Sequence, residues 1–505
     1  MASTQATAMH LLSPQPVFHG WFVILGALIG ALTLGWYFLE PGLFLLQMPI
    51  FLGSIFFGSI AWMGVLRYPP PWLPIALIVF VFFMMDFTLR SSHVSPGGFD
   101  IQSILKGIAW IVLLSFGLVN GIRNVFDDKL LFLFFAYTLF AFFSVFYSRA
   151  FFLGLGSSFA LLGLAFFSGV IGTWAQDTVK KMWHGLFIAS VMMAVLSLVF
   201  YFVAPEMVID NNTGPNRLRG LTGSGNSLGP IMSIGVLVGV YLWSSCKKKE
   251  RIFLALGITC LLISLVWSQS RASMVALFSG FLLVAALGNV FAFMLTAVFG
   301  CVGIWLLSQP GFLDSLLRSL ASFFSRSGRV SEITSFTGRS DIWAGVISKW
   351  LESPWFGYGL GSPRIIVSEA YADQWGNTHE SAHNWLLESL ISFGIAGTLL
   401  LVIFLALLAW RLWAFKKKSA KPDSETLDWP LVLCMRRSFI FCLVSGLMEK
   451  AFAGMPNPTL ILLTCMAGSC VALARYKSGV PLAVGCSPTF PCTQLRTATA
   501  GHKWV

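Results

Sequence analysis

The sequence predicts an all-α polytopic bundle of about 12 to 14 membrane-spanning helices with one large outer loop, and three observations predict it. Hydrophobic residues make up 56% of the 505 positions and charged residues 11%, with a mean hydropathy of +0.79, which excludes a soluble globular protein. Apolar stretches of about 18 to 25 residues recur from residue 18 to residue 474, each long enough to cross roughly 30 Å of hydrocarbon as a helix. The connections between them are short, apart from one polar segment at 309–386.

In chain order the candidate spans are 18–39, 43–66, 72–89, 103–122, 130–147, 150–173, 183–204, 227–245, 252–268, 272–288, 289–308, 387–413, 431–449 and 457–474. No β-barrel alternation appears. The chain therefore divides into a tail at 1–17, spans with short loops over 18–308, the loop at 309–386, further spans over 387–474, and a tail at 475–505 rich in Pro, Gly and Thr that reads as disordered. The nine cysteines fall mostly inside spans or on one set of connections, so no disulfide framework is implied.

A net charge of +12 would suggest nucleic acid in a soluble protein, but here the basic residues sit between spans and set topology, so no nucleic-acid partner is expected. If the spans alternate, Arg67, Arg123, Lys129, Lys180, Lys181, Lys247 to Lys249, Arg251, Lys416 to Lys418, Arg436, Arg437, Arg475 and Lys477 share one side, which should be the cytoplasm. Both termini then face inward. With no basic region before a cleavage site, the first span is a retained anchor.

Polar residues of interest gather on the opposite, outer face. The large loop opens with "LDSLLRSLASFF", an amphipathic stretch that either lies on the membrane surface or covers the bundle. It continues with "TGRSDIWAGVISKWLESPW", a helix with Asp341 in its first turn, a stripe of Ile342, Val346 and Trp350, and Pro354 as terminator, followed by the turn-rich connector "FGYGLGSP".

Four features carry candidate chemistry. Arg219 precedes "GLTGSGNSLG", where Asn226 or Ser227 can cap the next helix and its N-terminus can receive an anion; the alternative is a glycine-rich turn beside a solvated arginine. The glycine spacing is neither a dinucleotide fingerprint nor a Walker loop. Arg271 in "SQSRAS" lies at a span boundary, where it either meets an anion or snorkels to headgroups. Arg339 starts the loop helix against its dipole, with Trp343 one turn on to stack against it, which calls for an anion nearby.

The fourth is "NTHESAHNWLLE", which contains H-E-x-x-H. In a zinc protease His379 and His383 would be ligands and Glu380 the general base, but a third ligand is missing from the rest of the sequence. Read as a helix, the segment carries His383 into the stripe of Leu386, Leu387 and Leu390 and aims it at the bundle. A hydrogen-bonded histidine capping a helix at the interface is the other reading.

Together, three arginines and an inward histidine on one face, without an acidic cluster for a metal, suit transfer from a lipid diphosphate. Arginine forks bind pyrophosphate oxygens and can replace the usual divalent cation, so neither a metal nor another cofactor is expected. A histidine can take the proton of an attacking hydroxyl.

The pieces "RLRGLTGSGNSLG", "SQSRAS", "FTGRSDIW" with "SPWFGYGLGS", and "HNWLLESLISFGIAG", in this order over about 217–400, resemble the O-antigen ligase and O-antigen polymerase superfamily of polytopic glycosyltransferases. The resemblance implies a GT-C-like, metal-independent, inverting enzyme in a bacterial inner membrane, its active site facing the periplasm. Arg219 and Arg339 match the arginines that bind an undecaprenyl-diphosphate-linked glycan donor, Arg271 matches the family's Ser-Arg motif, and His383 the histidine of its His-Asn pair. On that basis His383, Arg339 and Arg219 are the candidate catalytic residues, and Arg271, Asn226, Asn384 and Trp343 the candidate substrate-binding ones. The acceptor would be lipid A-core or a growing polysaccharide, and "FTGRSDIW" with "HNWLLE" is closer to exopolysaccharide polymerase-like members. A bicarbonate-like transporter is the alternative of another class; against it, intramembrane acidic residues are nearly absent, Asp86 being the clearest exception.

Overall fold

The architecture is that of a computed structural model, which describes residues 62, 64–66, 69–89, 101–210, 217–288, 339–371, 380–416 and 427–478. The helices of eight or more residues in chain order are α1 Leu73–Met84, α2 Ile101–Asp127, α3 Lys129–Ser144, α4 Phe151–Ile171, α5 Gln176–Val203, α6 Gly225–Trp243, α7 Glu250–Trp267, α8 Arg271–Gly288, α9 Arg339–Glu352, α10 Pro363–Ala370, α11 Trp385–Ala414, α12 Trp429–Met448 and α13 Pro458–Ser478. Two short strands, β1 Ile209–Asp210 and β2 Arg217–Leu218, pair antiparallel between α5 and α6.

Nine of the described helices are long and apolar enough to cross a membrane, and each coincides with a predicted span. The chain is a multi-pass helical membrane protein. Predicted spans 18–39 and 289–308, and nearly all of 43–66, lie outside the described residues, as do the amphipathic stretch at 313–324 and the tail from 479. The spans predicted at 72–89 and 272–288 are shorter apolar helices, α1 and α8. α1 has 12 residues, about 18 Å of rise, and ends because the chain leaves it to bridge Phe87 with Thr222.

With lipid outside and no water to drive burial, helix contacts rest on close backbone approach. The tightest is between α2 and α4. A Cβ on Gly121 would lie 2.0 Å from the Phe166 carbonyl oxygen, and one on Gly169 would lie 2.3 Å from the Gly121 oxygen.

Polar contacts define the two ends of the bundle. At one end Asp128 caps α3 and accepts from Arg411 at 2.8 Å, Lys180 pairs with Asp428 at 3.4 Å, and Arg475 donates to Asn124 and Gly172. Lys180 and Arg475, two of the basic residues assigned to one side by alternation, belong to this end, and Arg67, Lys417 and Lys418 lie outside the described residues. Arg436 reaches this same end from within α12: it is buried, donating to the carbonyls of Leu412 and Phe415 between Trp413 and Trp429. It thus satisfies the last carbonyls of α11 rather than facing water.

The other end is organised by a break in α11. Gly394 sits at φ 61°, ψ −162°, a conformation open essentially to glycine alone. The break exposes backbone groups, and the connector predicted as turn-rich takes them up: Tyr358 N donates to Ile391 O, Gly359 N to Ser392 O, and Ile395 N donates to Pro354 O. Irregular backbone is tolerated at such a depth only when another part of the chain satisfies it. The connector is also held from the α3–α4 turn, where Ser148 Oγ donates to Leu360 O and Ser144 Oγ accepts from Leu360 N. On this base α9 and α10 form a small second core of Ile342, Val346, Ile366 and Val367 with Ala382 and Ile391.

Candidate functional site

The site is built where α6, α9, α11 and α12 end or begin. α12 stops at Met448, and the next residue, Glu449, carries its carboxylate into a cluster of four side chains. Oε1 accepts from Arg339 at 2.9 Å and from the Asn226 amide at 3.0 Å, while Oε2 lies 3.0 Å from His383 Nδ1. Arg217 in turn donates to the Asn226 side-chain oxygen and, through Nε, to Ser268 O at 2.9 Å. The anion that Arg339 calls for at its helix start is therefore Glu449.

His383 is aimed by its neighbours rather than by a helix. It has φ 47°, left-handed, and α11 begins only at Trp385, with Asn384 Oδ1 capping Leu386 N and Leu387 N. The preceding residue is clamped on both sides: Ala382 N donates to Glu388 Oε2 at 2.9 Å and Ala382 O accepts from the Trp343 indole at 2.9 Å. The expectation that His383 continues the helical stripe is thus corrected. The H-E-x-x-H helix does not form, since residues 380–384 are non-helical, and Glu380 pairs instead with Arg364 at the surface. His379 lies outside the described residues. Among the described residues no three His, Cys, Asp or Glu side chains converge as a metal site would need.

The electrostatics favour an ionised Glu449. Burial alone would raise its carboxyl, but the hydrogen bond and charge of His383, followed by those of Arg339, outweigh it and hold the group below the usual carboxylate range. A carboxylate can only accept, so Nδ1 of His383 is the protonated nitrogen and a neutral ring keeps its lone pair on Nε2.

A cavity of about 380 Å³ opens beside this cluster, lined in part by Asn226, His383, Glu388 and Glu449. Other sequence candidates fall elsewhere. Arg219 is buried and turned to the Met207 carbonyl, with Nη2 at 2.8 Å, and it does not line the cavity. Burial pulls its guanidinium below the usual range, against the opposing charge of Asp210. Arg271 starts α8 directly after the Ser268–Ser270 turn, as its span-boundary placement predicts; like Arg219, Arg217 and Arg339 it is outside the cavity lining. Ser224, not Asn226 or Ser227, caps α6. Asn384 donates to Leu447 O and Trp343 to Ala382, so both hold the site's backbone.

Two residues of the cluster escaped sequence reasoning. Arg217 is two positions from Arg219, and only the β1–β2 pairing decides which arginine reaches Asn226. Glu449 is one acid after an apolar span, with no motif around it.

Residues 256–402 match the family model described as O-antigen ligase. That stretch, under a third of the chain, is similar to an O-antigen ligase domain. No curated protein matches the chain. The matched region runs from α7 to the middle of α11 and contains Arg271, Arg339, Trp343, His383 and Asn384. Arg217, Asn226 and Glu449, which complete the cluster, lie outside the matched residues.

Proposed function

We propose that the chain is a membrane glycosyltransferase that moves a glycan from an undecaprenyl-diphosphate donor to a hydroxyl on an acceptor glycan, either lipid A-core or a growing polysaccharide. The observation that carries this reading is the His383–Glu449 contact at 3.0 Å inside a ligase-type chain, with Arg339 on the same carboxylate. Glu449 fixes the His383 tautomer and stabilises the imidazolium that forms. The acceptor oxygen attacks C1 of the donor's reducing-end sugar with inversion, its proton passes to His383 Nε2, and the bond from C1 to the phosphate oxygen breaks to release undecaprenyl diphosphate. Arginine charge, from Arg339 and the Arg217 side of the cluster, neutralises the leaving diphosphate in place of a metal. The basic end of the bundle then faces the cytoplasm of a bacterial inner membrane and the cavity the periplasm.

The test is turnover of purified protein with a polyprenyl-diphosphate oligosaccharide, with and without excess EDTA, scoring both chain lengthening and transfer to lipid A-core. EDTA-resistant product of either kind supports the reading and separates polymerase from ligase. Loss of product on chelation, restored by a metal, would overturn the metal-independent mechanism.

A further inference from the structure

Asp86 was singled out above only as an unusual acid near a membrane segment. The fold carries it to the same cavity as His383. After α1 the chain is pinned to the α6 approach by the Phe87–Thr222 bridge and by Thr88 N donating to Leu221 O at 2.9 Å, and Asp86 becomes part of the cavity wall. Lys450, next to Glu449, lines that wall as well.

Among the described residues neither side chain has a hydrogen-bond or ion-pair partner, although the Lys450 ammonium acts at longer range on both Asp86 and Glu388, and Lys106 acts likewise on Asp86. Two further cavity-lining groups are unsatisfied: the hydroxyls of Ser392 and Ser445 are buried, at 0% and 1% exposure, and have no partner among the described residues. Buried polar groups are almost always hydrogen-bonded, so the two buried serines, together with the half-buried Asp86 and Lys450 in the same cavity lining, mark a place completed by a polar molecule.

The chemistry of that molecule follows from the donors and acceptors. A carboxylate accepts, an ammonium donates, and the two serines do either, a set that matches a ring carrying several hydroxyls. A small anion would meet Asp86 and Glu388 flanking Lys450, and an apolar chain would leave all four groups unpaired.

We propose that Asp86 and Lys450, with Ser392 and Ser445, form a sugar subsite that holds a neutral, hydroxyl-bearing residue of the glycan beside His383. The proposal rests on the glycosyltransferase reading for its substrate class. It adds the residues that choose the sugar, as distinct from those that break the bond. Leaving one charged partner of a bound hydroxyl unpaired should cost roughly ten- to a hundredfold in affinity.

The experiment uses the full chain in nanodiscs. Saturation-transfer NMR is recorded with the oligosaccharide repeat released from the surface polysaccharide of the producing cell, which reads binding without requiring turnover. Wild type and His383→Ala should both bind. Asp86→Asn and Lys450→Gln should weaken binding at least tenfold, with thermal stability measured in parallel. The exchange variant Asp86→Lys/Lys450→Asp separates a structural ion pair from a subsite: a pair would be restored by the swap, whereas a subsite would not. Undiminished binding in both single variants, or recovery in the swap, overturns the proposal. Turnover is then measured with donor and acceptor varied separately, and the KM that rises identifies which glycan occupies the subsite. Wild type that binds the sugar but transfers nothing from any polyprenyl-diphosphate donor would sink the glycosyltransferase reading and leave the subsite standing.

Discussion

His383 and Glu449, 66 residues apart in the chain, lie 3.0 Å apart across the mouth of the cavity, one just before α11 and the other just after α12. Neither residue is held by a helix of its own. Each projects from a short non-helical segment whose backbone is pinned from outside, so the pair depends on how the two helices dock.

If Glu449 acts through His383, their removal should not be additive. His383→Ala is expected to lower kcat by roughly 10²- to 10⁴-fold, the usual worth of a positioned general base. Glu449→Ala should cost at least about a hundredfold, and the double variant little more than the worse single. The measurement is kcat for the three proteins with one donor and acceptor. Fully multiplicative losses would mean that the two residues serve separate steps.

The same pair makes stability depend on pH. The folded-state pKa of Glu449 is below its ordinary value, so folding favours the ionised form. Its contribution is complete above the unfolded carboxyl pKa of about 4.3 and is lost as the pH falls through the lowered folded value. Wild type in detergent should therefore lose more Tm between about pH 5.5 and pH 3 than Glu449→Gln, the two curves converging on the acid side. Parallel curves would show that the carboxylate makes no net ionic contribution.

Arg217 and Arg219 offer a sharper contrast, because the resemblance assigns the diphosphate to Arg219 while Arg217 is the arginine that bonds Asn226. Arg219 spends its guanidinium on the Met207 carbonyl, whereas Arg217 reaches the Asn226–Glu449 cluster. Arg217→Ala is expected to reduce turnover at least about tenfold more than Arg219→Ala, by the cost of unpairing a buried charged hydrogen bond. At Arg339, Lys should rescue Ala poorly, since an ammonium cannot keep both the Met448 carbonyl and the Glu449 oxygen with a planar fork. Turnover of Arg219→Ala below that of Arg217→Ala would return the diphosphate to the residue first assigned.

Periodicity and hydropathy made the helices legible: nine spans can be read from runs such as 457–474, which α13 matches closely, because length and apolarity decide a membrane helix locally. Arg339 and His383 were legible through their motifs. Glu449 and Arg217 were not, since their roles arise from long-range docking that leaves no local pattern. Asp86 was visible as an anomaly, and only the Phe87–Thr222 bridge shows where it goes. His383 was placed on a helix by its spacing to the leucines, but Asn384 is a strong cap and ends that pattern one residue too early.

The break in α11 should be as sensitive as the cluster it supports. At Gly394 a Cβ would lie 2.3 Å from the Trp355 carbonyl carbon, in a φ/ψ region that side chains avoid. Gly394→Ala therefore has two ways to fail, strain at its own backbone and displacement of the connector that carries α9 and α10. Strain of this kind costs of order 1–3 kcal/mol before the contact is counted. The expected outcome is a lower Tm in detergent together with faster proteolysis within 353–371, because the connector loses Ile391, Ser392 and Ile395 as hydrogen-bond partners. Activity should fall even where the protein stays folded, since the connector leads from Arg339 on α9 towards His383. Unchanged proteolysis with reduced activity would instead locate the defect in α11 itself, and would mean that the loop docks without the break.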